Sequence, residues 1–179
     1  MTLAAIDFET TGLVAGYHEP IQIAVVPLDS EFRPTGDSFV EYIRPEFPER
    51  QSVEAMQVNA IDLRLCRLSP ARVSDLLVEW WEHQHGQLTP LAHNWAFEYS
   101  FLNAWLGVDL TQHLFSRDAI DTKTLASAMR WAGHDLGRSA SLGALCQHFG
   151  IINERAHDAY ADCVAEGELF GKLTELLTP

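Results

Sequence analysis

Three short stretches of this chain carry side chains able to do acid–base or metal chemistry. Asp7-Phe8-Glu9 follows the apolar run Leu3-Ala4-Ala5-Ile6, which reads as a short buried strand over 3–7. Residues i and i+2 of a strand share a face, so both carboxylates project together while Phe8 enters the opposite layer. Two carboxylates on one face raise each other's pKa unless a cation lies between them. Thr10-Thr11-Gly12 adds hydroxyls, backbone N–H groups and a turn beside that position. A solvated strand end carries the same acids, so the pair alone is ambiguous.

The second stretch, His93-Asn94-Trp95-Ala96-Phe97-Glu98, crosses from a strand end into a helix. Open α/β sheets place ligand sites at the carboxyl ends of their strands, although Glu98 also suits the first helical turn through the helix dipole. The third is His157-Asp158-Ala159-Tyr160-Ala161-Asp162. On one helix His157 and Asp162 would stand about 140° apart. His157 is therefore placed on a loop entering the helix, and Asp162 inside the helix, facing the sheet. A buried-facing Asp with no Lys beside it is costly unless it binds metal or accepts hydrogen bonds.

The elements that must hold these groups are legible as a mixed pattern. Strands are expected over 3–7, 21–28 and 39–43 in an antiparallel meander, with turn chemistry between Asp29 and Asp37. Pro45 and Pro48 break the pattern. Ser69-Pro70 reads as a cap and first position of a helix from Ala71 to about His85. Its Val73, Leu76, Leu77, Trp80 and Trp81 form one apolar stripe, which assigns both tryptophans to the core. Further strands are expected at 88–93 and 119–121. Helices are expected over 96–106, through Leu125 and Met129, over 141–149, and from 159 to 177, with Gly150 as a C-terminal stop. His83-Gln84-His85 reads as a solvated helix terminus, not a zinc ligand pair. Strands first, then strands alternating with helices, give one α/β domain over residues 1–179.

At these residues the chain resembles the DEDDh family of 3′–5′ exonucleases, which includes polymerase proofreading subunits, ribonuclease T and oligoribonuclease. Asp7 and Glu9 in Asp-Phe-Glu-Thr-Thr-Gly look like the first family motif, and His93-Asn94 with Phe97 like the second. His157 and Asp162, with four residues between them, look like the third. Val58-Asn59-Ala60-Ile61, Ile120-Asp121-Thr122 and Phe149-Gly150-Ile151 are weaker likenesses in the same order, so the resemblance spans nearly the whole chain. It departs from the pattern at one place: the second motif normally ends Phe-Asp, and here it ends Phe97-Glu98.

The resemblance implies a ribonuclease-H-like three-layer α/β/α fold with a mixed, roughly five-stranded sheet. It implies two divalent ions, Mg²⁺ or Mn²⁺, with Asp7 bridging, Glu9 and Asp162 on one ion, and Glu98 helping to hold the other. His157 is then the general base, Thr10 and Thr11 contact the terminal nucleotide, and Asn94 and Trp95 are substrate contacts. The longer arm of Glu98 bears on rate and metal preference, because Mg²⁺ demands near-ideal octahedral geometry.

Charge narrows the substrate. The chain of 179 residues carries 12 Lys+Arg against 25 Asp+Glu, net −13, which disfavours coating of long duplex or anionic lipid. A few frayed or single-stranded nucleotides at a 3′ end, gripped by metals, hydroxyls and stacking, suit it better. No apolar run approaches the ~20 residues of a membrane helix, and the opening residues do not read as a signal peptide. Cys66, Cys146 and Cys163 lack paired spacing and read as buried reduced thiols in a cytoplasmic protein. The alternatives are an RNA or oligoribonucleotide 3′-trimming enzyme, and a non-catalytic nucleic-acid- or protein-binding relative weakened at Glu98. A protein partner or a homo-oligomer has no signature in the sequence.

Overall fold

The computed structural model describes residues 2–84 and 86–177. A five-stranded sheet forms its centre. β1 (Thr2–Thr10) pairs antiparallel with β2 (Pro20–Pro27), which pairs antiparallel with β3 (Phe39–Tyr42). On its other side β1 runs parallel to β4 (Leu88–Ala92), which runs parallel to β5 (Ile120–Asp121). The spatial order β3-β2-β1-β4-β5 is the expected meander followed by crossovers.

Strand alternation sorts β1 into two layers. Ala4, Ile6 and Phe8 join a core with Ile23, Val25, Phe101 and Leu102. Its helical partners are α2 (Pro70–Trp81) and α3 (Trp95–Leu106), with α4 (Val108–Leu114) beside them. Ala5 on the opposite face packs with Ala24, Ala159 and Cys163, so Asp7 and Glu9 face the same way as Ala5. That face is covered by α7 (Ala159–Glu175). The small side chains at Ala5 and Ala24 leave room for this helix. Behind it α5 (Thr122–Trp131) and α6 (Leu142–Phe149) close a third cluster around Met129, Leu145 and Leu169. The three-layer α/β/α architecture matches the expectation. Trp80 and Trp81 both pack against the core, and the three thiols are buried and free.

Several boundaries differ from the sequence expectation, for local reasons. β1 runs three residues past Asp7, because Phe8, Glu9 and Thr10 still find partners in Ile23, Gln22 and Pro20, with an irregularity between Glu9 and Thr10. A short helix α1 (Val53–Asn59) occupies the stretch read as irregular. Ser52 caps it by accepting from the Ala55 N–H, and the left-handed Ala60 (φ 52°) ends it. α3 ends at Leu106, where the sequence expectation put it, but a further helix, α4, starts directly after Gly107. α2 ends at Trp81 because Gln84 turns away to donate to Asp37 at 2.7 Å. His83 is exposed beyond that helix end, and His85 lies outside the described residues.

Candidate functional site

β1 is longer than β4, and its last turn of pairing on that side is left open after Ala5–Leu91. The functional groups collect at this open carboxyl end. Asp7, Glu9, Thr10, Glu98, His157 and Asp162 line one cavity of about 340 Å³, walled by Leu13, Phe97 and the α1 residues Ala55, Val58 and Asn59.

Each acid has its own support. Phe97 and Phe101 stack at 4.8 Å, and Phe101 and Leu102 are buried in the core. That packing turns the first turn of α3 so that Glu98, only 4% exposed, points inward. There it accepts the Phe8 N–H, a donor at the end of β1 where β4 no longer reaches. Asp162 stands in the first turn of α7, whose start is fixed by two capping contacts. Asp158 accepts the Ala161 N–H at 3.1 Å, and the buried Gln22 accepts the Ala159 N–H at 3.1 Å. Gln22 lies directly across from Glu9 in the sheet, so one residue of β2 sets the spacing between Glu9 and Asp162. The Asp162 carboxylate in turn holds the preceding loop, accepting from the Asn153 amide at 2.5 Å and from the His157 N–H at 3.0 Å. His157 itself is exposed, with φ +68°. A left-handed conformation is uncommon for a non-glycine residue. Here Asp162 is what stabilises it.

The hinge after β1 is equally determined. Thr10 Oγ1 donates to the Gly12 carbonyl at 2.6 Å, and Ser52 N–H donates to the Thr11 carbonyl at 2.7 Å, which docks α1 beside the cavity. A Cβ at Gly12 would lie 2.3 Å from the His18 ring, so any other residue there must displace that ring. Asn59 donates to the Thr10 carbonyl at 3.1 Å.

Three of the nine expected residues have other surroundings, and so does the motif residue His93. Glu98, Glu9, Asp7, Asp162, His157 and Thr10 meet in the cavity, but Thr11 is buried, and its hydroxyl accepts the Glu19 N–H at 2.9 Å. Asn94 serves the backbone: φ is +94°, and its N–H goes to Asp121 at 3.3 Å. Trp95 packs on Tyr99 at 5.6 Å and lines a separate cavity with Gln112 and Arg117. His93 is half-buried and braces the fold, its Nε2 meeting the Ala140 carbonyl at 2.8 Å and its Nδ1 the Thr122 hydroxyl at 2.9 Å. Burial pushes its pKa down, and Nε2, which faces a carbonyl, is the donor to Ala140.

The electrostatics of the cavity are one-sided. Burial, then Glu98, Glu166, Glu9 and Asp162, pushes the Asp7 pKa well above its ordinary value. Burial and the charges of Asp162 and Asp158 push Glu9 up to about 8. Burial raises Glu98, reinforced by Glu9 and offset in part by the Phe8 N–H. Asp162 is raised by burial despite its hydrogen bonds to Asn153 and His157. Among the described residues, no ion pair involves any of these acids. Asp7 Oδ2 and Glu98 Oε2 are enclosed with no hydrogen-bond partner. Ligand atoms of Glu9, His157 and Asp162 lie within 4.8 Å of one another. Oxygen-rich donors of this kind suit a hard divalent cation, and such a cation relieves the repulsion.

A stability measurement follows from these directions. Folded pKa values above unfolded ones favour the fold at low pH, below the ordinary Glu value of 4.5. That contribution is lost as pH rises, through about 8 for Glu9. In a chelator the melting temperature is expected to fall from about pH 6 to about pH 9, and Mg²⁺ or Mn²⁺ to flatten the fall. A pH-independent melting temperature in chelator contradicts the buried-charge description.

Comparison with known proteins agrees with this geometry. The profile of the RNase T family, described as exonuclease, matches residues 4–170. A DNA polymerase III of the PolC type from Thermotoga petrophila is 26% identical over 181 residues. The match covers 98% of this chain and 12% of that relative's length. Escherichia coli exonuclease I in complex with a dT13 oligonucleotide superposes with a TM-score of 0.78 at 22% identity, covering 97% of this chain and 41% of that one. The nuclease domain of 3′hExo, a DEDDh family member bound to rAMP, gives 0.74 at 17% identity, covering 97% of this chain and 92% of that one. The chain belongs to the RNase T exonuclease family.

Proposed function

We propose that this chain is a divalent-metal-dependent 3′–5′ exonuclease that releases nucleoside 5′-monophosphates from the 3′ end of single-stranded or frayed DNA. The observation that carries the proposal is the convergence of Asp7, Glu9, Glu98 and Asp162, with His157, in one cavity that no lysine or arginine among the described residues lines. A pair of divalent ions, Mg²⁺ or Mn²⁺, supplies Lewis-acid polarisation of the phosphodiester and activation of the attacking water. Asp7 would serve both ions, Glu9 and Asp162 would hold one, and Glu98 would help to hold the other. His157, exposed on its loop, takes the proton of the attacking water, the general-base role that histidine commonly fills near neutral pH.

The cavity rim supports a short single-stranded substrate. Leu13 and Val58 are exposed apolar side chains at the cavity wall, able to pack against splayed bases. The Thr10 hydroxyl is within the same cavity. Exonuclease I, a structural neighbour, holds single-stranded dT13, and a net charge of −13 disfavours a long duplex tract. No helix among the described residues is long and apolar enough to cross a membrane. A binding-only relative has no use for four converging carboxylates and a loop histidine kept in place by one of them.

Glu98 offers a specific check. Its charge and its register after Phe97 are kept, so Glu98→Ala is expected to lower Mg²⁺-supported turnover sharply. Glu98→Asp is expected to leave it unchanged or raise it. Mn²⁺, less strict in geometry, is expected to serve the native Glu98 better than Mg²⁺ does. Full activity of the alanine variant with both metals reduces Glu98 to a helix-dipole residue.

Digestion of oligonucleotides labelled at either end tests the function itself. A 3′ label is expected to be released at once as a mononucleotide, while a 5′ label stays on progressively shorter fragments, in Mg²⁺ or Mn²⁺ and not in chelator. Parallel DNA and RNA strands separate the proposal from 3′ trimming of RNA. Early release of the 5′ label, or no digestion with either metal, overturns it.

A further inference from the structure

One acidic side chain at the site belongs to none of the three sequence stretches. Glu166 lies four residues after Asp162 on α7, the spacing that stacks two side chains on one helix face. It is 1% exposed. Its Oε1 accepts the His93 N–H at 2.8 Å, at the turn from which α3 departs with Glu98. Its Oε2 is enclosed and has no hydrogen-bond partner, like Asp7 Oδ2 and Glu98 Oε2. Burial and the charges of Glu98, Asp162 and Asp121 raise its pKa, and its own charge raises that of Asp7. No lysine, arginine or histidine forms an ion pair with it among the described residues.

We propose that Glu166 is a fifth carboxylate of the metal centre. One oxygen clamps the turn that aims Glu98, and the other adds negative charge on the Asp7–Glu98 side. The proposal rests on the reading of this cavity as a divalent-metal site. Its physical basis is the choice of residue. A turn clamp needs only an acceptor, and glutamine supplies one to the His93 N–H without burying a charge. A buried carboxylate with a free oxygen is costly unless a cation balances it. Here three unpartnered buried oxygens belong to Asp7, Glu98 and Glu166, and the charges of Glu98 and Glu166 are felt at Asp7, an excess of enclosed negative charge that a hard cation balances. They complement the separate grouping of Glu9, His157 and Asp162. Glu166 is a positioning residue with a charge that matters: it supports ligands and tunes the field at the ion.

Calorimetric titration of the full chain with Mn²⁺, without nucleic acid, is the test. Glu166→Gln keeps the acceptor for His93 and is expected to weaken Mn²⁺ binding by about ten-fold or more, as loss of an outer-shell partner does. Its metal-free melting temperature is expected to equal or exceed that of the native chain, since repulsion is relieved. In digestion assays the Mn²⁺ concentration for half-maximal rate rises while the KM for the oligonucleotide stays. Glu166→Asp keeps the charge and is expected to bind Mn²⁺ more tightly than the glutamine variant does, which covers the case of a poorly folded glutamine variant. Native Mn²⁺ affinity in Glu166→Gln, or equal affinities of the Asp and Gln variants, overturns the proposal and leaves Glu166 a neutral turn clamp. A chain that fails to digest nucleic acid yet loses Mn²⁺ affinity on Glu166→Gln overturns the exonuclease reading and leaves this one standing.

Discussion

Asp7→Asn is expected to lower nuclease turnover by several orders of magnitude and, at the same time, to make the metal-free protein melt at a higher temperature. Both effects have one cause. Asp7 sits between the core residues Ile6 and Phe8, opposite Ala24 in the sheet, on the face covered by α7. Burial and the charges of Glu98, Glu166, Glu9 and Asp162 all oppose its ionisation. Asparagine has nearly the same shape and no charge, so it removes that repulsion from the fold and removes the bridging ligand from the proposed centre. A change of about 1 kcal/mol shifts the melting temperature of a chain this size by about 2–4 °C, which scanning calorimetry resolves. Lost activity with a lowered melting temperature points to damage of the fold instead, and retained activity removes Asp7 from the mechanism.

His157→Ala is expected to cut kcat by roughly 10²–10⁴, the range for loss of a general base, with Mn²⁺ affinity close to native. The two readouts separate two roles that the geometry brings close together. A ring nitrogen of His157 lies within 4.8 Å of carboxylate oxygens of Glu9 and Asp162, so it is near enough to act either on a proton or on an ion. A ten-fold loss of Mn²⁺ affinity in the alanine variant makes His157 a ligand and contradicts the base. Alanine is the right replacement here. Its backbone carries the same penalty at φ +68° as histidine does, whereas glycine relaxes the loop and confounds chemistry with order. Unchanged single-turnover rates refute any chemical role.

The sequence exposes the local parts of this site and conceals the parts assembled by tertiary contact. Asp7 and Glu9 are readable because strand alternation fixes their common face, and His157 and Asp162 because their spacing cannot share one helix face. The meander, the crossovers and the core role of Trp80 and Trp81 follow from periodicity in the same way. Gln22 is different. In sequence it is one polar residue in the strand Ile21-Gln22-Ile23, and only the β1–β2 register brings it to Glu9 and to the first turn of α7. Asn153 likewise gains its meaning from a loop that returns to Asp162. Helix α1 is hidden among prolines and polar residues, although Ser52 before Val53-Glu54 is a usable cap signal. Glu166 had a signal too, its four-residue spacing from Asp162, but a glutamate in a long helix reads as a solvated face until its burial is seen. Trp95 is the reverse case. An aromatic residue beside a motif suggests stacking on a substrate, yet the turn of α3 that brings Glu98 inward sends Trp95 to the cavity of Tyr99 and Gln112.

The central claim is that carboxylates from β1, α3 and α7 hold divalent ions at one point, and anomalous diffraction from crystals soaked in Mn²⁺ addresses it without reference to turnover. The account predicts strong anomalous density inside the cavity of about 340 Å³, with oxygens of Asp7, Glu9 and Asp162 at bonding distance from the Mn²⁺ and Glu98 facing it. The same crystals grown from Asp7→Asn protein should show that density weakened or gone. Mn²⁺ bound only at surface acids, with the Asp7, Glu9, Glu98 and Asp162 carboxylates free of it at millimolar concentration, contradicts the account.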